Sequence, residues 1–230
     1  MNIAILCPGE QFSSRWVQNF VQLYAHLLRS GFSVMTAYEF CSCVFTTRNS
    51  LARHVQESGI EFDYMLWIDD DNILDPEGFD RLRFALDDHP EAAMMAAWSW
   101  SETDQFQYGA MISAGHVTDR GTVVPFTPDE FLAPLKIGEP IEADYTGFPA
   151  VLMRGDLLRQ VGRNPFAPIV SDAFDWGYSG EDYAFCQRVR ASGRKVFVLP
   201  GLQVPHLKLR PIVPTKLLQF EKPKLKECAA

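Results

Sequence analysis

Apolar and polar positions alternate in blocks along the first hundred residues. Residues 2–7 form a nearly continuous apolar run closed by Pro8-Gly9, which predicts a buried first strand. Ser13 or Ser14 then caps a helix whose apolar residues Trp16, Val17, Phe20, Val21, Tyr24, Leu27 and Leu28 recur at intervals of three and four. That spacing predicts one stripe against a sheet, with Gly31 at the C-terminal stop. A second strand is expected over 32–40, a helix over 49–57 closed by Gly59, and a third, apolar strand over 62–68. Asp75-Pro76 opens a further helix to about 88, and 92–98 reads as a fourth strand. Such alternation predicts a parallel sheet with crossover helices on its faces. The continuous apolar runs suit strands buried on both sides.

The second half changes character. Residues 105–153 are punctuated by Gly and Pro, with strand-like pieces near 107–113, 121–126, 140–146 and 149–153. Short helices are expected near 155–161 and 181–192, then a strand over 195–199. Beyond Pro205 the prolines at 211, 214 and 223 predict an arm rather than a domain. The expected organisation is one domain over 1–208, with a first half to residue 100, a second half over 101–208, and a basic arm over 209–230.

Composition narrows the class. A chain of 230 residues with 47% hydrophobic content can bury one sizeable core. No apolar run approaches the ~18 residues a spanning helix needs, and the N-terminal residues lack a signal-peptide pattern. Cys7, Cys41, Cys43, Cys186 and Cys228 are odd in number and scattered, which predicts reduced thiols and a cytoplasmic location, host cytoplasm for a viral chain. The net charge of −8 argues against a general nucleic-acid binder. Basic residues nevertheless gather from Arg188 onward, including Lys208, Arg210, Lys216, Lys222, Lys224 and Lys226. That run reads either as a solvated tail or as a strip facing an anionic acceptor.

Candidate chemistry starts at Asp69-Asp70-Asp71, at the carboxyl end of the third strand, where open parallel sheets bind ligands. Three adjacent carboxylates repel unless a cation neutralises them. Alternation along extended backbone predicts that Asp69 and Asp71 face one site and Asp70 turns aside. Hard oxygen ligands suit Mg²⁺ or Mn²⁺; the competing reading is a solvated acidic turn. Glu181-Asp182 opens a helix, where negative charge is favourable in itself and where a carboxylate can also accept a proton from a hydroxyl. The preceding Trp176-Gly177-Tyr178 stretch has the composition of a loop that closes over a sugar. His206 is either an ordinary surface histidine or a ligand that tilts an Asp-based site toward Mn²⁺. Arg48-Asn49, read as a turn into a helix, suits a diphosphate or nucleobase edge or simply marks a helix start. No Gly-rich phosphate loop and no nucleophile elbow is present.

Together these features resemble the GT-A glycosyltransferases, most closely the family 2-like group. The apolar strand ending in Asp69-Asp70-Asp71 is similar to that fold's Asp-x-Asp metal and donor signature, and Arg48-Asn49 to its Arg-Asn helix start near the nucleotide. Residues 144–154 are similar to its glycine-bearing acceptor strand, Glu181-Asp182 to its Glu-Asp motif, and His206 to its C-terminal metal-binding histidine. The resemblance implies a Rossmann-like, mostly parallel central sheet flanked by helices, with a smaller mixed or antiparallel acceptor-side sheet. It implies inverting transfer from a nucleotide-sugar donor, UDP-sugars favoured, to the hydroxyl of a saccharide, a protein or a modified nucleic-acid base. It casts Asp182 as catalytic base and Asp71, His206 and Asp69 as ligands of Mn²⁺ or Mg²⁺. Pro8, Arg48, Asn49, Asp69 and Asp70 become donor contacts, and Trp98, Gly147, Trp176, Tyr178 and Glu181 sugar or acceptor contacts. The rival readings are a nucleotidyltransferase and a non-catalytic nucleotide- or carbohydrate-binding protein.

Overall fold

A computed structural model of the chain describes residues 1–102, 110–119, 121–131, 133, 138–172, 174 and 177–207. The expected arm, Trp176 and part of the segment around 107–113 lie outside the described residues. A seven-stranded sheet runs through the molecule in the order β2(Ser33–Glu39), β1(Asn2–Pro8), β3(Tyr64–Ile68), β11(Ala150–Arg154), β4(Ala92–Trp98), β12(Lys195–Gln203) and β9(Ile141–Ala143). β1 pairs in parallel with β2 and β3, and β4 with β12. β11 is antiparallel to both its neighbours and β9 is antiparallel to β12. A small three-stranded antiparallel sheet, β10(Tyr145–Thr146), β7(Ala114–Val117) and β8(Val123–Pro125), and the pair β5(Trp100–Glu102) and β6(Ala110–Ile112) complete the β-structure.

Alternation along the buried strands sorts their side chains into two cores. Ile3 and Ile5 of β1 and Tyr64, Leu66 and Ile68 of β3 join Leu23, Leu27, Phe79 and Leu82. Those four come from α1(Ser14–Arg29) and α3(Pro76–Asp88). Ala4, Leu6, Met65 and Trp67 point the other way, onto Leu51, Phe148, Phe166 and Phe185. Leu51 belongs to α2(Val44–Glu57) and Phe185 to α6(Glu181–Ala191). The helix starts follow their caps. Ser13 accepts the Trp16 N–H at 3.1 Å, and Asp75 accepts the Gly78 N–H at 2.7 Å with Pro76 in the first turn. Gly31, at φ 82°, ends α1 in the left-handed region as expected.

Three expectations change. The stripe on α1 is narrower, because Val17, Val21 and Leu28 are exposed and Leu23 is buried. α2 begins at Val44 rather than Asn49, so Arg48-Asn49 sits within the helix and faces inward. The strand near 149–153 enters the centre of the main sheet between β3 and β4, a placement no local pattern announces. Of the described residues, none lies in a helix long and apolar enough to cross a membrane.

Candidate active site

The site gathers at the carboxyl ends of β1 and β3. β3 parity sends Asp69 toward the α2–α6 side and Asp70 toward the β1–α1 loop, since residues 65, 67 and 69 share one face of an extended chain. Asp70 accepts the backbone N–H groups of Glu10 and Gln11 at 3.0 and 3.3 Å and so fixes that loop. A Cβ at Gly9 would come within 2.2 Å of the Asp70 Cβ, so only glycine lets the loop approach this closely. The Trp16 indole N–H donates to the Asp69 carbonyl at 2.9 Å, tying α1 to the same turn. Between the loop and the N-terminal end of α2 lies a cavity of about 370 Å³. Its walls include Pro8, Glu10, Phe40, Val44, Thr47 and all three aspartates.

His206 arrives by backbone stitching. Beyond β12 the chain pairs with the turn that follows β3, through an Asn72–His206 bridge. Ile73 N–H donates to Pro205 and Leu207 N–H to Asp71. The His206 Nε2 thereby stands 2.9 Å from Asp71 Oδ2, while Nδ1 lies 3.1 Å from the Trp100 carbonyl. An oxygen acceptor faces each ring nitrogen, so with Nδ1–H donating to Trp100 a cation at Nε2 would take the place of the proton shared with Asp71. Asp71 and His206 are both partly exposed. Among the described residues no three His, Cys, Asp or Glu side chains gather into a complete metal cage.

Beneath the pocket Arg48 is buried, its side chain 3% exposed. Its Nη2 lies 3.0 and 3.1 Å from the two Asp69 oxygens. Its Nε stands 3.6 Å from Asp182 and 3.7 Å from Glu181. The guanidinium lies over the Phe148 ring at 4.9 Å. Asn49 accepts the Phe166 N–H at 2.9 Å in the core. Burial raises the Asp69 carboxyl to about 6, with Arg48 pulling the other way. Burial likewise lifts Asp182 far above the carboxylate range, opposed by Arg48 and reinforced by Glu181 and Asp69.

Of the expected site residues, the structure brings together Pro8, Asp69, Asp70 and Asp71 around the cavity, with His206 on Asp71 and Glu181 and Asp182 across Arg48. Arg48 and Asn49 do not line the pocket. Both were expected as donor contacts; in the structure Arg48 is turned inward beside three acids and the Asn49 amide oxygen accepts a backbone N–H. Trp98, expected as a sugar or acceptor contact, is 2% exposed, donates its indole N–H to Pro200 O at 2.8 Å, and packs edge-on against Phe131. Gly147 donates its N–H to Ser113 at the rim of the small sheet. Tyr178 is exposed and bridges to Val170, four-fifths exposed, just before α6. Phe40 and Val44 on the cavity wall were missed, because exposed apolar residues next to a helix start carry no signal of their own.

A mostly parallel sheet with an antiparallel strand inserted centrally, acids at the β3 end and a small antiparallel sheet beyond is the layout that the sequence resemblance implied. No protein-family model matches the chain, and no curated protein matches it in sequence. Among solved structures, A197 from STIV matches with a TM-score of 0.51 at 12% identity, over 91% of this chain and 87% of that one. A Drosophila β1,4-galactosyltransferase 7 mutant, in complex with manganese, UDP-Gal and xylobiose, matches at TM-score 0.43 and 15% identity over 97% and 81% of the two chains. CMP:2-keto-3-deoxy-manno-octonic acid synthetase complexed with CTP matches at TM-score 0.43 and 11% identity over 95% of each chain. Likeness at this level of identity speaks for the fold alone.

Proposed function

We propose that the protein is an inverting glycosyltransferase that takes a sugar from a nucleotide diphosphate donor and is assisted by a divalent cation. The observation that carries the reading is the Asp71–His206 pair at 2.9 Å beside an acid-lined cavity, with Asp182 across a shared arginine. A carboxylate and an imidazole suit Mn²⁺, and Mg²⁺ also tolerates so few protein ligands, since phosphate oxygens complete its shell. Asp71 and His206 would hold the cation, with Asp69 as the further candidate, and it would neutralise charge building on the departing diphosphate. The cavity accepts the nucleotide, with Phe40 and Val44 as the apolar wall for a base and Asp70 keeping the Glu10–Gln11 loop in place.

Asp182 is the proposed base. Its proton affinity, raised by burial, suits a group that must take a proton near neutral pH. In the step itself the acceptor oxygen bonds to the anomeric carbon as the bond from that carbon to the diphosphate oxygen breaks on the opposite face. The acceptor proton passes to Asp182. Tyr178, exposed two residues before the Gly180–Glu181 helix start, is the proposed stacking surface for a sugar.

A nucleotidyltransferase places cations on the triphosphate, whereas the described lining of this cavity has four acids and neither Lys nor Arg. That favours transfer of the sugar. The test is a panel of nucleotide sugars with and without Mn²⁺, followed by nucleotide release with candidate acceptors. Cation-dependent stabilisation by a nucleotide sugar, with release of the nucleoside diphosphate, supports the reading. Pyrophosphate formed from a nucleoside triphosphate and a sugar phosphate would replace it. Nucleotide binding without any release would make the protein a binding module.

A further inference from the structure

The acids of the site divide between two elements far apart in sequence, Asp69 at the end of β3 and Glu181–Asp182 at the start of α6, and one side chain meets both. Arg48 has its Nη2 on both Asp69 oxygens, while its Nε faces Asp182 and Glu181 at 3.6 and 3.7 Å, beyond hydrogen-bond length. Arg48 Nε and Nη1 and Asp182 Oδ1 are buried with no hydrogen-bond partner among the described residues. An unfilled buried donor costs free energy that a small approach of the two groups would recover. Stacking over Phe148 at 4.9 Å confines the guanidinium plane, so it can slide between its partners but not leave them. The neighbouring residue works in the same direction: Asn49 holds the Phe166 backbone, and the Phe166 ring stacks on Phe185 of α6 at 4.5 Å.

We infer that Arg48 is a positioning residue that links the donor half to the catalytic half: it sets where Asp182 stands according to what occupies the Asp69 side, and never touches the donor. When a ligand draws the Asp69 carboxylate outward, the guanidinium moves off one partner and closes on Asp182. The first turn of α6 is thereby held in its working place. Only a planar fork with several N–H groups can serve both ends at once. Lysine keeps the charge and can reach one.

The role for turnover rests on the proposed function; the mechanical link does not, and the experiment separates them. Arg48→Lys is compared with the wild type in nucleotide affinity, in turnover and in hydrogen exchange of the α6 amides Ala184 to Gln187. Nucleotide affinity should stay within about threefold, while turnover falls on the order of a hundredfold, the scale of a misplaced catalytic group. Exchange at those amides should rise on the order of tenfold in Arg48→Lys. In Asp69→Ala, a change distant in sequence from α6, the released guanidinium closes on Asp182, so exchange at the same amides should fall below the wild type. A loss of nucleotide affinity that matches the loss of turnover would make Arg48 a donor contact and overturn the inference. So would unchanged exchange in both variants, whatever the enzyme's activity. Wild-type protein that transfers no sugar would count against the proposed function alone, since the exchange comparison still decides the link.

Discussion

Removing the charge of Arg48 altogether is the sharpest test of how this site is held together. In Arg48→Met, Asp69, Glu181 and Asp182 face one another without their shared cation, with side chains 20–28% exposed. Breaking a buried pair from one side costs about 3–5 kcal/mol, because the remaining charge is left uncompensated. Residual exposure of the carboxylates allows solvent to screen part of that, which places the expectation at about 3 kcal/mol. For a chain of this size each kcal/mol moves Tm by roughly 2–4 °C, so a fall of about 6–12 °C is expected. The deficit must depend on pH. Asp69 already sits near 6 instead of its ordinary 3.8, and Asp182 is raised further still. Without the arginine's pull both rise more. Above pH ~4 the unfolded carboxylates have lost protons that the folded state retains, so stability falls with rising pH. Thermal denaturation of metal-free wild type and variant between pH 4.5 and 8 should show the gap widening upward. Adding Asp182→Asn to Arg48→Met should recover much of it at pH 8. An equal gap at both ends, or no recovery, would mean that lost packing against Phe148 carries the cost and the charge argument is wrong.

The remaining predictions concern single parts of the site. Asp71→Ala and His206→Ala should each weaken Mn²⁺-dependent stabilisation by a nucleotide sugar, by roughly 10–100-fold in cation affinity, read by titration calorimetry. Asp182→Asn should reduce transfer by about 10²–10⁴-fold with nucleotide binding retained, and near-normal turnover would remove it as base. Because Asp182 must be ionised to act and its proton affinity is raised by burial, wild-type turnover should climb with pH through the neutral range, not level off by pH 5. Gly9→Ala should damage the pocket without touching the chemistry, since its Cβ would collide with Asp70; nucleotide affinity should fall while the rest of the fold survives. Trp98→Ala should cost about 3–5 kcal/mol in chemical denaturation as a core deletion, whereas Tyr178→Ala should leave stability unchanged and raise only the acceptor's KM.

Much of this protein was legible from local chemistry. The alternating blocks to residue 98 specified β1, β2, β3 and β4 and the helices between them, because a period of two or of 3.6 and a cap are properties of short stretches. The position of Asp69-Asp70-Asp71 at a strand end was legible in this way, whereas Asp70, expected to turn aside, lines the cavity with the other two while it holds the Glu10–Gln11 loop. What tertiary structure alone decided are the meetings across sequence distance. β11 enters between β3 and β4 because that site completes two rows of hydrogen bonds and buries Val151 and Met153 on one face, an outcome no five-residue window contains. His206 reaches Asp71 through backbone pairing between the segment after β12 and the turn after β3. Arg48 and Trp98 show the limit most clearly. By type they suit a ligand, yet a helix that starts five residues earlier and a core that closes over an indole turn both inward. Residue type states which chemistry a side chain can perform; only packing decides whether it faces a substrate or the rest of the protein.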